Sequence, residues 1–351
     1  MSKRERLPAE SCGMVSLLFP DGYAMGTVQS KMGDVGGLVL PNGELNAALL
    51  LQTEEISAQK NVGRLSLQRL WVQEQDAVRS YIFKPAPEKE PIEFEIWFQE
   101  RIKPHLTDVR TPGLLAHRID EERQIYWMIY EDMGSAPPSF DRDTRIAAAR
   151  KMAAWHTLPA SAVPSAFKSF MPYIDDAMSE VMARRAYYEK LLLDIGMNPE
   201  KVAAFFERIE NLNGVFPCEK VVCHGDFHCL NLLRSSGDLA ILDWEFIQLN
   251  SIYWDFYTLL DMATPRYRIL IDRRTRLDVL DAYYRQRSGS IPLTIREFVY
   301  GYHLYSMVYS VGILGLVVSD LENNRFDKET LLVEKDEVIQ IIRDCLEVIA
   351  T

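Results

Sequence analysis

Apolar and polar residues alternate along "RLSLQRLWV" (64–72) and "AVRSYIF" (77–83), with the polar "QEQD" between them, which predicts two strands joined by a hairpin turn. Val78, Ser80, Ile82 and Lys84 fall on one face of the second strand, so Lys84 ends it with its amine beside apolar neighbours. Pro85 and Pro87 stop that strand. A helix is then predicted, with Pro91 in its first turn and an apolar stripe of Phe94, Trp97, Phe98 and Ile102 that has Glu95 on its edge. Strict alternation returns in "IYWMIY" (125–130), a strand that runs into Glu131, Asp132 and Gly134. Beyond residue 140 helical periodicity takes over, at about 142–157, 172–194, 198–212, 252–263, 275–287, 295–322 and 334–350. A strand pair within 220–244 interrupts this helical half.

The expected fold class is therefore α+β: a small β-rich lobe (56–132) and a large, mainly helical lobe (133–351), with a ligand expected where they meet. Residues 1–55, with Gly-rich turns around short apolar runs, read as an appendage or extra strands.

Composition narrows the partners. The 351 residues are 48 % hydrophobic and 25 % charged, enough to bury a large core, and carry a net charge of −11. No basic block stands out, which argues against nucleic acid and anionic lipid. The N-terminus lacks an apolar run behind its basic residues, and the longest apolar stretch, "MVYSVGILGLVVS" (307–319), is too short to span a bilayer. The expectation is a cytoplasmic protein with no membrane partner. Sequence leaves the oligomeric state open. Five cysteines without framework spacing fit a reducing compartment, and Cys218, Cys223, His224, His228 and Cys229 lack the paired knuckles of a structural zinc site.

The chemistry concentrates in "VVCHGDFHCLNLLRSSGDLAILDWEF" (221–246), where two apolar, strand-like runs each lead to an aspartate. A carboxylate in the loop after one strand can accept a proton from a substrate hydroxyl. An amide oxygen five residues on, and a second carboxylate after the next strand, can hold a hard cation. Mg²⁺ takes such a sparse oxygen set together with substrate phosphates, so the pattern points to phosphoryl transfer.

His224-Gly225-Asp226, Asn231 and Leu242-Asp243-Trp244-Glu245 resemble the H-G-D-x-x-x-x-N and I-D-W-E signatures of the aminoglycoside phosphotransferase and choline kinase family, whose fold is protein-kinase-like. The resemblance implies Asp226 as catalytic base, Asn231 and Asp243 as magnesium ligands, and His224 as a brace of the loop. It further implies that Lys84 contacts ATP phosphates and pairs with Glu95, with Glu93 a rival, and that Glu131 and Met133 are the positions whose backbone meets adenine. His156, in "AAWHTL", is similar to a packed structural histidine of the family. The phosphate-covering loop would lie in "SAQKNVGR", which offers only Gly63.

The activity so implied is transfer of the γ-phosphate of ATP, with Mg²⁺, to a hydroxyl of a small molecule: an aminoglycoside, a choline- or ethanolamine-like alcohol, or a sugar. After Asp243 the segment "DWEFIQLNSIYWD" is similar to the acidic-aromatic run of choline and ethanolamine kinases, which makes Glu245, Tyr253 and Trp254 candidates for an alkylammonium wall. Asp255 reads as a helix-capping or structural carboxylate. The alternative is a catalytically silent kinase-like protein that binds nucleotide or a partner. A protein kinase is disfavoured, since no D-F-G or A-P-E follows.

Overall fold

The computed structural model describes residues 35–350 apart from 57–65, 76, 135–140, 165, 166, 168, 236, 265–267, 269 and 270. In chain order the strands are β1 (Gln52–Glu55), β2 (Gln68–Glu74), β3 (Ala77–Pro85), β4 (Leu114–Asp120), β5 (Ile125–Glu131), β6 (Lys220–Cys223), β7 (Leu232–Ser235), β8 (Asp238–Ile241) and β9 (Gln248–Ser251). The α-helices are α1 (Glu90–Arg101), α2 (Arg142–His156), α3 (Ile174–Ala183), α4 (Arg185–Asp194), α5 (Pro199–Asn211), α6 (Trp254–Leu260), α7 (Arg273–Gln286), α8 (Ile295–Glu322) and α9 (Lys328–Ile349). The chain divides into two compact units, the first running to Ala136 and taking in Leu233–Glu245, the second made of Pro137–Leu232 and the chain from Phe246 onward. Both the β-rich first half and the helical second half follow the α+β expectation.

The first unit is built on an antiparallel sheet in the order β1-β2-β3-β5-β4. Glu74 pairs with Ala77, so the predicted hairpin closes between them, with Gln75 at φ 45°. The alternation in β5 divides its residues between two cores. Trp127 and Ile129 join Leu70, Val72, Tyr81 and Phe83 on one face, whereas Met128 packs with Ala86, Ile92 and Ile96 on the face covered by α1. Lys84 is the cross-strand neighbour of Met128, which puts it on the α1 side. That face of β3 is the less buried one: Val78 is exposed, while Tyr81 and Phe83 carry the core contacts. Strand β4 escaped the sequence reading because it is a sheet edge whose seven residues are all half-buried, which leaves no alternation to detect.

The expected pairing within 220–244 is corrected. Strand β6 pairs with β9, and β7 pairs with β8. The β7–β8 hairpin belongs to the first unit, where Ile241 N donates to Arg110 O (2.8 Å) and the Arg110 guanidinium donates to Ser235 O (3.0 Å).

In the second unit α2, α5, α7, α8 and α9 begin as capping chemistry dictates. Asp141, Asn198, Asp272 and Asp327 each accept a backbone N–H of the first turn, and Thr294 and Glu297 form a capping box at the head of α8. The segment expected as one helix over 172–194 breaks at Arg184 (φ −115°, ψ 25°), whose guanidinium lies 4.5 Å from the Tyr187 ring centroid. Helix α8, 28 residues long, has the length and apolarity to cross a bilayer, but 67 % of its most apolar window is buried within the protein, as for a core helix. Two short strands, β6 and β9, deliver the loop that follows Cys223 and the aromatic helix α6.

Candidate active site

In the first unit Lys84 Nζ lies 3.6 Å from Asp243 Oδ1, and both side chains are about 40 % exposed. The Asp243 carboxylate, then those of Glu245 and Glu95, hold the Lys84 ammonium pKa well above its ordinary value. Asp243 itself adopts φ 60°, a left-handed conformation that a non-glycine residue keeps only under constraint. The constraint is next door: Trp244 stacks on Phe98 of α1 at 5.1 Å and its indole N–H donates to Ile241 O. Hairpin β7–β8 and helix α1 thus aim one carboxylate at one lysine.

Glu95 takes a different place from the one expected. The Lys84 ion pair is with Asp243, while Glu95, half-buried, accepts from Gln99 Nε2 at 2.8 Å. Burial pushes its carboxyl pKa up, with Gln99 and the Lys84 charge opposing. A lysine is a mobile point charge, so it settles on one carboxylate, Asp243, and feels Glu95 through space. The rival Glu93 points elsewhere, 3.9 Å from Lys89 Nζ.

The segment after β5 is pinned by a residue the sequence reading missed. Arg69, 7 % exposed, donates to Asp132 at 2.7 and 3.3 Å, to Gly134 O at 3.0 Å and to Glu54 at 3.1 Å. Asp132 Oδ1 also accepts Gly134 N (2.9 Å). With Asp132 so committed, the backbones on either side of it are presented in a fixed shape. Glu131 N is consumed by Gly113 O (2.9 Å), whereas the Met133 N–H has no acceptor among the described residues. The single-glycine stretch around Gly63 lies outside the described residues.

In the second unit Asp255, fully buried, organises the loop after β6. Its Oδ2 accepts from Trp155 Nε1 (2.8 Å), His224 N (2.8 Å) and His156 Nε2 (3.2 Å), and its Oδ1 accepts from Gly225 N (3.0 Å). Burial alone would raise its carboxyl pKa, but the bonds from His156 and Trp155 and the nearby imidazoles hold it below the ordinary carboxylate range. His156 receives Tyr283 OH at 2.7 Å, and burial lowers its pKa with the Asp255 carboxylate opposing. Gly225 has φ 91°, and a Cβ there would stand 1.9 Å from Phe246 O, so only glycine fits. His224 is buried against Trp155 and Phe227, and its Nδ1 accepts Asp226 N at 3.3 Å.

The loop then closes on itself. Asp226 O accepts both His228 N (3.0 Å) and Asn231 Nδ2 (2.9 Å), and Asn231 N donates to His228 O (3.0 Å). The Asn231 amide nitrogen is spent inside the loop, which leaves its Oδ1 as the outward acceptor.

Comparison with known proteins agrees. Residues 58–289 match the sequence model of the phosphotransferase enzyme family. The chain belongs to that family. Among solved structures, this phosphotransferase is similar to a protein from Ralstonia eutropha JMP134 (17 % identity, TM-score 0.54, 85 % of this chain and 92 % of that one). It is also similar to choline kinase from Cryptosporidium parvum Iowa II (12 % identity, TM-score 0.52, 89 % and 94 %) and to an aminoglycoside phosphotransferase from Alicyclobacillus acidocaldarius (12 % identity, TM-score 0.52, 86 % and 91 %). At these identities the likeness speaks for the fold. No curated protein matches the chain by sequence.

The donors of the phosphotransferase suit Mg²⁺ chemically: an amide oxygen held by its own hydrogen-bonded nitrogen (Asn231) and a half-exposed carboxylate already facing a cation (Asp243) are hard oxygen ligands. The aromatic wall does not survive. Tyr253 and Trp254 are 0 % exposed. Tyr253 packs among Phe216, Phe298, Tyr302 and Tyr305, and Trp254 donates its indole N–H to Gly225 O at 2.7 Å. Their spacing marks the core side of α6 rather than a pocket wall. Glu245 sits in the first unit, where its charge acts on Lys84 and Tyr130. Among the described residues, His156, Cys223 and Asp255 alone approach a metal-ligand grouping, and the His156 and Asp255 atoms are taken up by the hydrogen bonds given above.

Proposed function

We propose that this phosphotransferase moves the γ-phosphoryl group of Mg-ATP to the hydroxyl of a small molecule, with Asp226 as base and Lys84, Asn231 and Asp243 on the nucleotide side. The observation that supports this most is the loop 224–231: two backbone N–H groups donate to Asp255 and two donors meet Asp226 O, which fixes the backbone around one carboxylate. A module that only bound nucleotide would gain nothing from so constraining a proton acceptor.

In this reading the acceptor oxygen attacks the γ-phosphorus, its proton passes to the Asp226 carboxylate, the bond to the β,γ-bridging oxygen breaks, and ADP leaves. Catalysis is mainly positioning and charge neutralisation. Lys84 would supply positive charge to phosphate oxygens, Asp243 and Asn231 Oδ1 would hold the cation, and the backbone at Glu131 and Met133 would meet adenine. Magnesium, when bound, neutralises phosphate charge.

For the acceptor, the second unit offers the pair Phe170 and Phe246, packed edge to face at 5.2 Å, with Phe246 O against Gly225 and Phe170 5.7 Å from Trp254. Phe170 is 39 % exposed. This supports a hydroxylated small molecule with an apolar or cationic flank beside the reacting hydroxyl, as in an amino alcohol or aminosugar. The test is a panel of aminoglycosides, choline, ethanolamine, pentoses and aminosugars followed by ATP consumption, with Asp226→Asn as control. That variant should keep Mg-ATP affinity within a few-fold and lose roughly 10²-fold or more in kcat. Full turnover in Asp226→Asn would end the proposal.

A further inference from the structure

Two residues after Asp226 stands His228, an imidazole inside the loop for which the reaction as outlined has no use. Its Nδ1 accepts the backbone N–H of Leu230 at 3.2 Å. In the neutral ring the proton is thereby placed on Nε2. Nε2 lies 3.3 Å from Asp226 Oδ2, and both side chains are largely covered, at 13 % and 21 % exposed. The backbone that carries the ring is held at both ends, since His228 N donates to Asp226 O and His228 O accepts Asn231 N.

We propose that His228 is a positioning residue for phosphoryl transfer: its Nε2–H donates to Asp226 Oδ2, stops rotation of the carboxylate, and assigns proton acceptance to Oδ1. This rests on the phosphotransfer reading above.

The chemistry favours a donor without a permanent charge in that position. In a loose phosphoryl-transfer transition state the attacking hydroxyl keeps its proton until late, so the base must orient that hydroxyl as well as accept its proton. A carboxylate at the end of two free torsions orients poorly unless one oxygen is held. Lysine or arginine would hold it but would form an ion pair and draw away basicity. An imidazole N–H fixes the oxygen without placing a permanent cation beside the carboxylate. The Leu230 N–H is what selects the tautomer: with Nδ1 engaged as acceptor, the ring cannot turn a lone pair toward Asp226.

The experiment compares His228→Ala, His228→Gln and Asp226→Asn, singly and as the double variant His228→Ala/Asp226→Asn, using Mg-ATP with water as the acceptor and any hydroxyl acceptor that the panel yields. His228→Ala should lower kcat roughly 10-fold with KM for Mg-ATP unchanged within about twofold, the pattern of lost alignment. His228→Gln, whose amide can reach the same oxygen, should recover most of that loss. In the Asp226→Asn background His228→Ala should cost nothing further, which a merely structural role would not predict. Nitrogen-15 NMR of histidine-labelled protein should show an Nε2–H tautomer signal that disappears in His228→Gln and moves in Asp226→Asn. A Gln variant as slow as Ala, additive losses in the double variant, or an Nδ1–H tautomer overturns the positioning role alone. A wild-type protein that turns over neither water nor any hydroxyl overturns the phosphotransfer reading, and the positioning role with it.

Discussion

Replacing Asp255 by Asn tests how the loop geometry is sustained. The four donors around Asp255 cannot all be satisfied by an amide. The best orientation keeps the oxygen toward Trp155 Nε1, His224 N and His156 Nε2, which turns the new NH₂ toward Gly225 N, 3.0 Å from the present Oδ1. One buried N–H then loses an acceptor, at about 1–3 kcal/mol, and the remaining bonds drop from charge-assisted to neutral strength. Removal of a buried charge offsets part of this. A net loss of about 3 kcal/mol is expected, enough to shift an unfolding midpoint without emptying the native state. The unpaired N–H belongs to Gly225, whose left-handed backbone sets the direction of Asp226, so kcat should fall about 100-fold. Mg-ATP affinity should fall far less than kcat, because of the residues proposed to hold the nucleotide and its metal only Asn231 lies in the anchored loop, while Lys84 and Asp243 belong to the other unit. Urea titration followed by circular dichroism reads the first quantity, steady-state kinetics the second and calorimetry the third. A variant as stable as the wild type, or one destabilised as expected but with full kcat, would refute the assignment of Asp255 as the loop's anchor.

Asp243→Asn should weaken Mg-ATP binding and turnover together, and Lys84→Ala should lower kcat/KM for ATP with the fold intact, since their half-exposed ion pair is worth at most about 1 kcal/mol to stability. Calorimetry with and without EDTA decides the metal assignment, equal ATP affinities removing it. The fold should also weaken in acid through His303, where burial takes the imidazole pKa from 6.5 down to about 4. The unfolded chain therefore binds the proton first, so this contribution is intact above pH 6.5 and is lost as the pH falls toward 4, by at most about 3 kcal/mol. His156, whose pKa is also lowered by burial, acts in the same direction. A melting temperature that stays constant from pH 7 to 5, or an acid slope no shallower in His303→Leu, would contradict this.

Local pattern was enough to read much of this chain. The spacing of Asp226, Asn231 and Asp243, the order of strands and helices, and the placing of Lys84 ahead of Glu95 were all legible, because periodicity and short loops are properties of neighbouring residues. What each element meets was not. Nothing in residues 220–251 reveals that β6 takes β9 rather than β8 as its partner, since strand pairing depends on distant chain that the tertiary fold brings up. Tyr253 and Trp254 have the same spacing whether they line a pocket or fill a core, and only the packing of α6 decided for the core. Lys84 was assigned to Glu95 by order along the chain, yet a flexible ammonium settles by burial and charge, and these favour Asp243. Arg69 was the least visible from sequence, and Asp255 was legible as a structural or helix-capping carboxylate but not by the donors it gathers. Each is one charged residue among many, and its role exists only where folding gathers the donors or acceptors that compensate a buried charge.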